Sequence, residues 1–417
     1  MKRPLSGAQR LSAFTVTTGL GAAVTVLAAP VIIGGAGEYD WGVLSSIQSA
    51  AGLFGVLVAF GWGTTGAGEV ASMEAARRPQ WYADSLVSRT YLFLLAYPVM
   101  VGVMWLLNPN YLALVSVGCA TYLAAYVGAS WYFIGEARPG RLFGIDMLPQ
   151  TLGVLVSLVV MLITQSLVAT VATQLVFNIS ATILSAWVIL RRSGNAPVSF
   201  NWSLPAAIRR LRDQRHAVVT AATQAAYVSA PLLILNALSP TTMALYAMGD
   251  KLFRFGLTAF APILQFIQGW ISERGRDHLP QRITQTLTVV PVISAVAGAC
   301  VFALGPWAAE LLSHGEIELG YDLSFVFGLV LFTVSVGQVM GLAALVQLGR
   351  VRDLATSTVI GAVAGIPLMI AGALLYSVWG VAWALAISEA AVLAYQSLSV
   401  VRALRARRAT AAEGGPR

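Results

Sequence analysis

Runs of about twenty apolar residues recur along this chain, the length a helix needs to cross roughly 30 Å of hydrocarbon. Twelve are present: Leu11–Gly35, Trp41–Gly66, Tyr91–Leu107, Tyr111–Phe133, Leu142–Ile163, Leu167–Leu190, Ala217–Leu238, Thr242–Trp270, Ile283–Leu304, Leu323–Leu348, Ala355–Tyr376 and Trp379–Val401. Several contain Gly or Pro, which membrane helices tolerate because their neighbours satisfy the freed backbone groups. The alternating pattern of a β-barrel is absent. Only 11% of the 417 residues are charged, against roughly 25% in a soluble domain. The sequence therefore predicts an all-α polytopic membrane protein and excludes an ordinary soluble enzyme. Two Cys exclude a disulfide framework, and three His without an HExxH pattern argue against metal chemistry. No catalytic residue, metal ligand or cofactor is expected.

Charge placement orients the chain. With the N-terminus inside, every second loop is cytoplasmic, and those segments hold 24 of the 26 basic residues. They include Lys2, Arg3 and Arg10 before the first span, and Arg77, Arg78 and Arg89 between the second and third. Outward segments hold Glu38, Asp40, Glu310, Glu316, Glu318 and Asp322 and no Lys or Arg. This asymmetry is the positive-inside rule, and it predicts that both termini are cytoplasmic. The net charge of +8 is then a topology signal, not a nucleic-acid footprint. Basic residues also precede the first apolar run as in a signal peptide, but that run exceeds a typical h-region and reads as an uncleaved span.

The longest polar interruption, Arg191–Arg215, follows six spans and precedes six more. The predicted organisation is an N-terminal six-helix lobe over 1–190, a cytoplasmic linker with a short amphipathic helix over 191–215, a C-terminal six-helix lobe over 216–408 and a cytoplasmic tail over 409–417. An even number of spans per half gives both copies the same orientation, related by a pseudo-two-fold axis along the membrane normal. Ala29-Pro30 and Gly42-Val43-Leu44-Ser45 can be laid over Ala230-Pro231 and Ala244-Leu245-Tyr246-Ala247. Outward loops are short, which leaves no room for a soluble catalytic module.

Ionisable residues inside a bilayer cost at least ~2.5–3.5 kcal/mol each on insertion scales, so each is a functional candidate. The sharpest group is Asp250, Lys251 and Arg254 on the eighth span. Arg254 lies about 18 Å from Thr242 at ~1.5 Å per residue, a little past the middle. Lys251, Arg254, Thr258, Gln265 and Gln268 form one polar stripe at helical spacing. Such a stripe either lines a cavity or pairs with other helices. Asp250 can neutralise Arg254 at i,i+4, but one carboxylate does not balance two cations. A diphosphate suits the excess, because Arg and Lys supply charge-assisted donors to phosphate oxygens. Asp146, an i,i+4 neighbour of Gln150, and Glu389, in mid-span, are candidates for H+ or Na+ coupling, with interhelical packing the competing role for each. Thr121, Tyr122, Tyr126 and Ser130 line one helix face, and Thr220, Thr223, Gln224 and Tyr227 line another. Hydroxyl and amide stripes of this kind suit a sugar-lined cavity and are equally common as interhelical contacts.

Several segments carry a family resemblance. Glu38-Tyr39-Asp40-Trp41-Gly42-Val43-Leu44-Ser45 follows the first span, with a counterpart in Leu238-Ser239-Pro240 through Leu245-Tyr246-Ala247. Trp131-Tyr132-Phe133-Ile134-Gly135-Glu136 ends the fourth, with Ile134 where family members place Gln and the spacing to Glu136 one shorter. Val378-Trp379-Gly380-Val381-Ala382-Trp383-Ala384 leads through Ile387-Ser388 to Glu389. On these segments and its layout the whole chain resembles the polysaccharide-transporter family, the O-antigen and teichoic-acid-type flippases of the multidrug/oligosaccharidyl-lipid/polysaccharide superfamily. The resemblance implies a flippase for undecaprenyl-diphosphate-linked oligosaccharide, working by alternating access between two six-helix lobes in a bacterial cytoplasmic membrane. It implies that Lys251 and Arg254 fill the family's cationic cavity role; the charge cluster and polar stripes add Asp250, Gln265, Gln268, Tyr126 and Gln224 as candidate substrate contacts. It also implies coupling to an H+ or Na+ gradient without ATP, and a monomer working beside a polysaccharide polymerase and glycosyltransferases.

Three rivals compete. A cation-coupled multidrug exporter of the same superfamily would favour an acidic cavity, whereas the eighth span carries excess positive charge. A major-facilitator transporter expects a Gly-x-x-x-Asp-Arg/Lys-x-Gly-Arg/Lys motif that Ser72-Met73-Glu74-Ala75-Ala76-Arg77-Arg78-Pro79 does not supply. A membrane glycosyltransferase using a lipid-linked sugar would place catalytic carboxylates where Glu38 and Asp40 stand, in an outward loop of about five residues. Two carboxylates solvating a tight turn explain them better.

Overall fold

Gly37 is where the first break in the helical backbone falls, and it needs a φ of 84° that costs glycine little. The computed structural model describes residues 27–191, 198–272 and 279–413. The start of the first span, Lys2, Arg3, Arg10, Arg192, Arg274, Arg276 and the last four residues lie outside the described residues. Helix α1 (Leu27–Ala36) ends at Gly37, and α2 (Glu38–Ala59) begins at once. Glu38 and Asp40 thus form the acidic first turn of α2, complementing its dipole, and not the five-residue loop the sequence predicts. The tight turn Phe60–Gly63 and α3 (Gly66–Ser72) complete that pass.

Helix α4 (Arg78–Leu107) follows, then α5 (Leu112–Ala124), α6 (Ser130–Gly135) and α7 (Pro139–Arg141). A π-helical stretch, Leu142–Met147, leads into α8 (Leu148–Thr164). Helix α9 (Leu167–Leu190) is capped by Ser166, whose Oγ accepts from the Ala169 N–H at 3.3 Å. The rest are α10 (Leu204–Leu238), α11 (Met243–Ser272), α12 (Leu279–Ser313), α13 (Tyr321–Gln338) with a π-helical end over Val339–Leu345, and α14 (Val351–Glu413). Ser377, at φ 52° and ψ −131°, breaks α14 into two passes.

Among the described residues these helices make twelve passes, and no strand is present. Among the described residues nine stretches are long and apolar enough to cross a membrane by length and composition. One of them, Val351–Ala406, holds two passes; α1 is short, and α11 carries the charges described below. Leu94, Leu95, Leu106, Ile163, Val363, Leu374 and Leu375 are exposed at helical spacing. Apolar surface that extensive is rare on a soluble protein and is what lipid covers.

The chain divides into two compact units, Met1–Ser229 and Ala230–Arg417. In the first, the later part of the polar interruption packs back on α4. Gln80 exchanges hydrogen bonds with the Ser199 backbone at 2.9 and 3.0 Å, Tyr91 Oη donates to Trp202 O at 2.6 Å, and Arg210 pairs with Asp84 at 2.6 Å. The amphipathic turn expected in the linker is continuous with the seventh pass in the single 35-residue helix α10. The unit's core near these contacts is aromatic, with Trp62, Tyr82, Trp131, Tyr132 and Phe133 packed together.

In the second unit, glycines let helices touch backbone to backbone. A Cβ at Gly298 would stand 2.6 Å from Gly328 O, and one at Gly328 would stand 2.4 Å from Gly298 O, so α12 and α13 meet there without side chains. Ser324 Oγ adds a bond to Val301 O at 2.8 Å. Gly372 and Gly380 do the same across the Ser377 bend. At the far end of that hairpin Gln396 Nε2 donates to Ser357 Oγ at 2.8 Å.

Candidate functional site

Helix α11 separates an apolar face from a polar one. Phe253, Phe260, Ile267 and Ile271 are buried, and Gly249 lets the Phe327 ring of α13 lie against the backbone, where a Cβ would be 2.0 Å from it. The other face carries the predicted stripe. Asp250 is buried at 9% exposure, and its Oδ2 accepts from Arg254 Nε at 2.6 Å. The Arg254 side chain is 47% exposed at about 17 Å along the helix from Met243, at ~1.5 Å per residue. Lys251 is half-buried beside this pair, Thr258 and Gln265 are exposed, and Gln268 is half-buried. The triad Asp250, Lys251 and Arg254 carries one net positive charge. A guanidinium exposed at mid-length of an apolar helix is not tolerated by lipid tails and requires water or an anion.

The predicted residues of the first unit do not form one face. Thr121 is buried, donating to Val117 O at 2.7 Å and lying 3.1 Å from Val171 O, as an interhelical packing contact does. Tyr122 accepts from Gln48 Nε2 at 2.9 Å. The Tyr126 ring fills the space over Gly55, where a Cβ would sit 2.3 Å from it. Gln224 is exposed on α10, with Thr223 half-buried and Tyr227 buried, while the Thr220 side chain lies outside those described. Glu389 is half-buried in the last pass.

Asp146 sits in the π-helical stretch at 3% exposure, with Oδ1 buried and, among the described residues, without a hydrogen-bond partner. It faces a break in the fourth pass, where the backbone runs from α5 through the turn Ala125–Val127 to Gly128 and restarts at α6. The sequence counts Arg89 among the loop residues, but α4 starts at Arg78, three turns before Tyr91, and places Arg89 inside the unit at 1% exposure. Its Nη1 donates to Gly128 O at 2.7 Å and lies 3.5 Å from Tyr126 O, and its Nη2 reaches Ser85 Oγ at 3.3 Å. The guanidinium also lies 5.3 Å from the Trp131 ring centre. Carbonyls freed at the broken helix end are thus satisfied by a built-in cation, with the Asp146 carboxylate 3.6 Å from where a Gly128 Cβ would be. A cavity of about 320 Å³ opens beside this break, lined by Arg89, Tyr126, Ser130 and Trp131 among others. Tyr82, Ser85 and Arg89 at helical spacing before a long apolar run are the sequence signal that would have found it. Among the described residues no cluster of His, Cys, Asp and Glu is arranged to hold a metal ion.

No family model matches this chain, and no curated protein matches its sequence. Solved structures do match. A lipid II flippase MurJ in an inward closed conformation superimposes with a TM-score of 0.68 at 11% identity, over 95% of this chain and 88% of that one. An inward-facing multidrug resistance MATE family transporter of the MOP superfamily gives 0.63 at 13% identity, over 95% and 96%. A MATE protein in a bent conformation gives 0.57 at 14%, over 97% of each chain. This chain therefore has the all-helical fold seen in these MATE transporters and in this lipid II flippase.

Proposed function

We propose that this protein is a flippase that moves an undecaprenyl-diphosphate-linked oligosaccharide from the inner to the outer leaflet of a bacterial cytoplasmic membrane by alternating access. The observation that carries the reading is Arg254, exposed halfway along an apolar helix in a triad with one net positive charge. Arg254 and Lys251 bind the diphosphate, Asp250 fixes the guanidinium, and Gln265, Gln268, Tyr126 and Gln224 contact sugar. The fold shared with a lipid II flippase supports the substrate class. Asp146 and Glu389 are the proposed coupling carboxylates for an H+ or Na+ gradient, and a polysaccharide polymerase and glycosyltransferases are the proposed partners of a monomeric transporter.

The test is reconstitution with a fluorescent lipid-linked oligosaccharide. Arg254→Ala and Lys251→Ala should each slow flipping about tenfold, the worth of one charge-assisted bond to phosphate. Unchanged flipping in both variants at equal protein level overturns the assignment. An imposed pH or Na+ gradient should accelerate flipping, and Glu389→Gln should blunt that response; indifference to both gradients makes Glu389 structural. The shared fold with a multidrug MATE transporter supports a second reading, cation-coupled drug export. Uptake of a cationic dye into inverted vesicles, unaffected by lipid-linked oligosaccharide, would favour it.

A further inference from the structure

Four aromatic rings at one end of the second unit stand in sequence-distant but touching positions. Tyr321 meets Phe302 edge to face at 5.8 Å, Phe302 meets Phe325 at 5.8 Å, and Phe325 meets Trp383 at 6.4 Å. With Trp379 and Asp322 they line a cleft of about 500 Å³. The glycine crossings hold it in shape. Gly298 and Gly328 bring Phe302 on α12 within reach of Phe325 on α13, and Gly372 and Gly380 fix the start of the last pass, which carries Trp379 and Trp383.

Its chemistry is lopsided. Five rings supply negative π-faces, and the charged group is a carboxylate that no cation pairs with among the described residues. Asp322 folds back over Gly320, where a Cβ would sit 2.4 Å from its Oδ1. The same end of the unit carries Glu310, Glu316 and Glu318 and, in its connecting segments, no Lys or Arg. Rings plus one carboxylate is the composition that recognises an ammonium group. A sugar site would need more hydrogen-bond acceptors than Asp322 and the Tyr321 hydroxyl supply, since the Trp379 and Trp383 indoles only donate. The rings are also partly exposed at the ends of three membrane passes, the level at which lipid headgroups lie and aromatic side chains gather.

We propose that this cleft is a binding site for the primary-ammonium headgroup of a zwitterionic phospholipid, phosphatidylethanolamine, in the outer leaflet. The ammonium sits against the Phe325 and Trp383 rings and pairs with Asp322. The surrounding carboxylates repel anionic phosphatidylglycerol, so the site sorts lipids by charge.

Native mass spectrometry of the purified full chain, titrated with phosphatidylethanolamine or phosphatidylglycerol in detergent, tests this. Wild type should retain phosphatidylethanolamine in preference to phosphatidylglycerol. Asp322→Asn and Trp383→Leu should each weaken that retention about tenfold, and millimolar tetramethylammonium should displace the lipid. Gly320→Ala, which moves the carboxylate and keeps its charge, should fall between. Three results overturn the proposal: equal retention of the two lipids by wild type, which would mean an interfacial aromatic anchor; unchanged retention in both Asp322→Asn and Trp383→Leu; or displacement by a soluble disaccharide and not by tetramethylammonium, which would mean a glycan platform.

Discussion

Replacing Arg89 by Met should cost the protein about 3–5 kcal/mol, the range found when one member of a buried charged group is removed. The side chain is 1% exposed, and its hydrogen bonds go to Gly128 O, Tyr126 O and Ser85. Met fills the volume but donates nothing, so two carbonyls at the break between α5 and α6 lose their partner. Each buried unsatisfied group costs ~1–3 kcal/mol, and the buried Asp146 loses the favourable charge of Arg89. Arg89→Lys should recover only part, because a point charge on a flexible stem does not span two carbonyls as a planar fork does. Adding Asp146→Asn to Arg89→Met should return about 1–2 kcal/mol by removing the stranded charge. Thermal unfolding in detergent reads all four proteins. Equal midpoints for wild type and Arg89→Met would show that Arg89 is not what holds the break.

Gly328→Val should separate α12 from α13 and unfold or misassemble the second unit at a temperature well below wild type. A Cβ there points at the Gly298 carbonyl, 2.4 Å away, and at the Phe302 backbone nitrogen. Neither is the movable end of a side chain, so a helix must shift. Overpacking costs ~1–3 kcal/mol even where side chains can adjust, and a backbone obstacle belongs at or above the top of that range. Gly328→Ala should show a smaller loss of the same kind. Gly102→Ala makes the control, because nothing stands within 4 Å of a Cβ at Gly102. Scanning unfolding by intrinsic fluorescence separates them, and equal loss in Gly102→Ala and Gly328→Ala would contradict the account.

Much of the architecture was legible because the bilayer imposes a length. Eleven of the twelve apolar runs match passes that the described residues show nearly throughout, and the bend at Ser377 falls in the gap left between Tyr376 and Trp379. What composition does not encode is where a helix begins inside polar sequence. Arg78-Pro79-Gln80-Trp81 reads as loop, yet Pro79 suits the first helical turn and α4 starts there, carrying Arg89 into the core. The two π-helical stretches were equally invisible, because one extra residue per turn arises from packing against neighbours and leaves no periodic mark. The Asp250–Arg254 pair was legible for the opposite reason: i,i+4 spacing on an uninterrupted helix fixes the contact whatever surrounds it. The aromatic cleft draws residues from three passes, and its neighbour relations exist only once Gly298 meets Gly328.

The one-residue bend at Ser377 bears on how the chain enters a membrane during synthesis. A loop of ordinary length must carry its solvated backbone across the hydrocarbon, and each unsatisfied polar group costs several kcal/mol on the way. Here the cargo between the eleventh and twelfth passes is little more than one peptide unit and a hydroxyl, which ends 3.0 Å from Thr242 Oγ1. Two apolar segments joined so tightly have no independent route of entry. The two should partition as one hairpin, with Gly372 packed against Gly380, so that polar substitutions that keep either pass from inserting alone should keep out both.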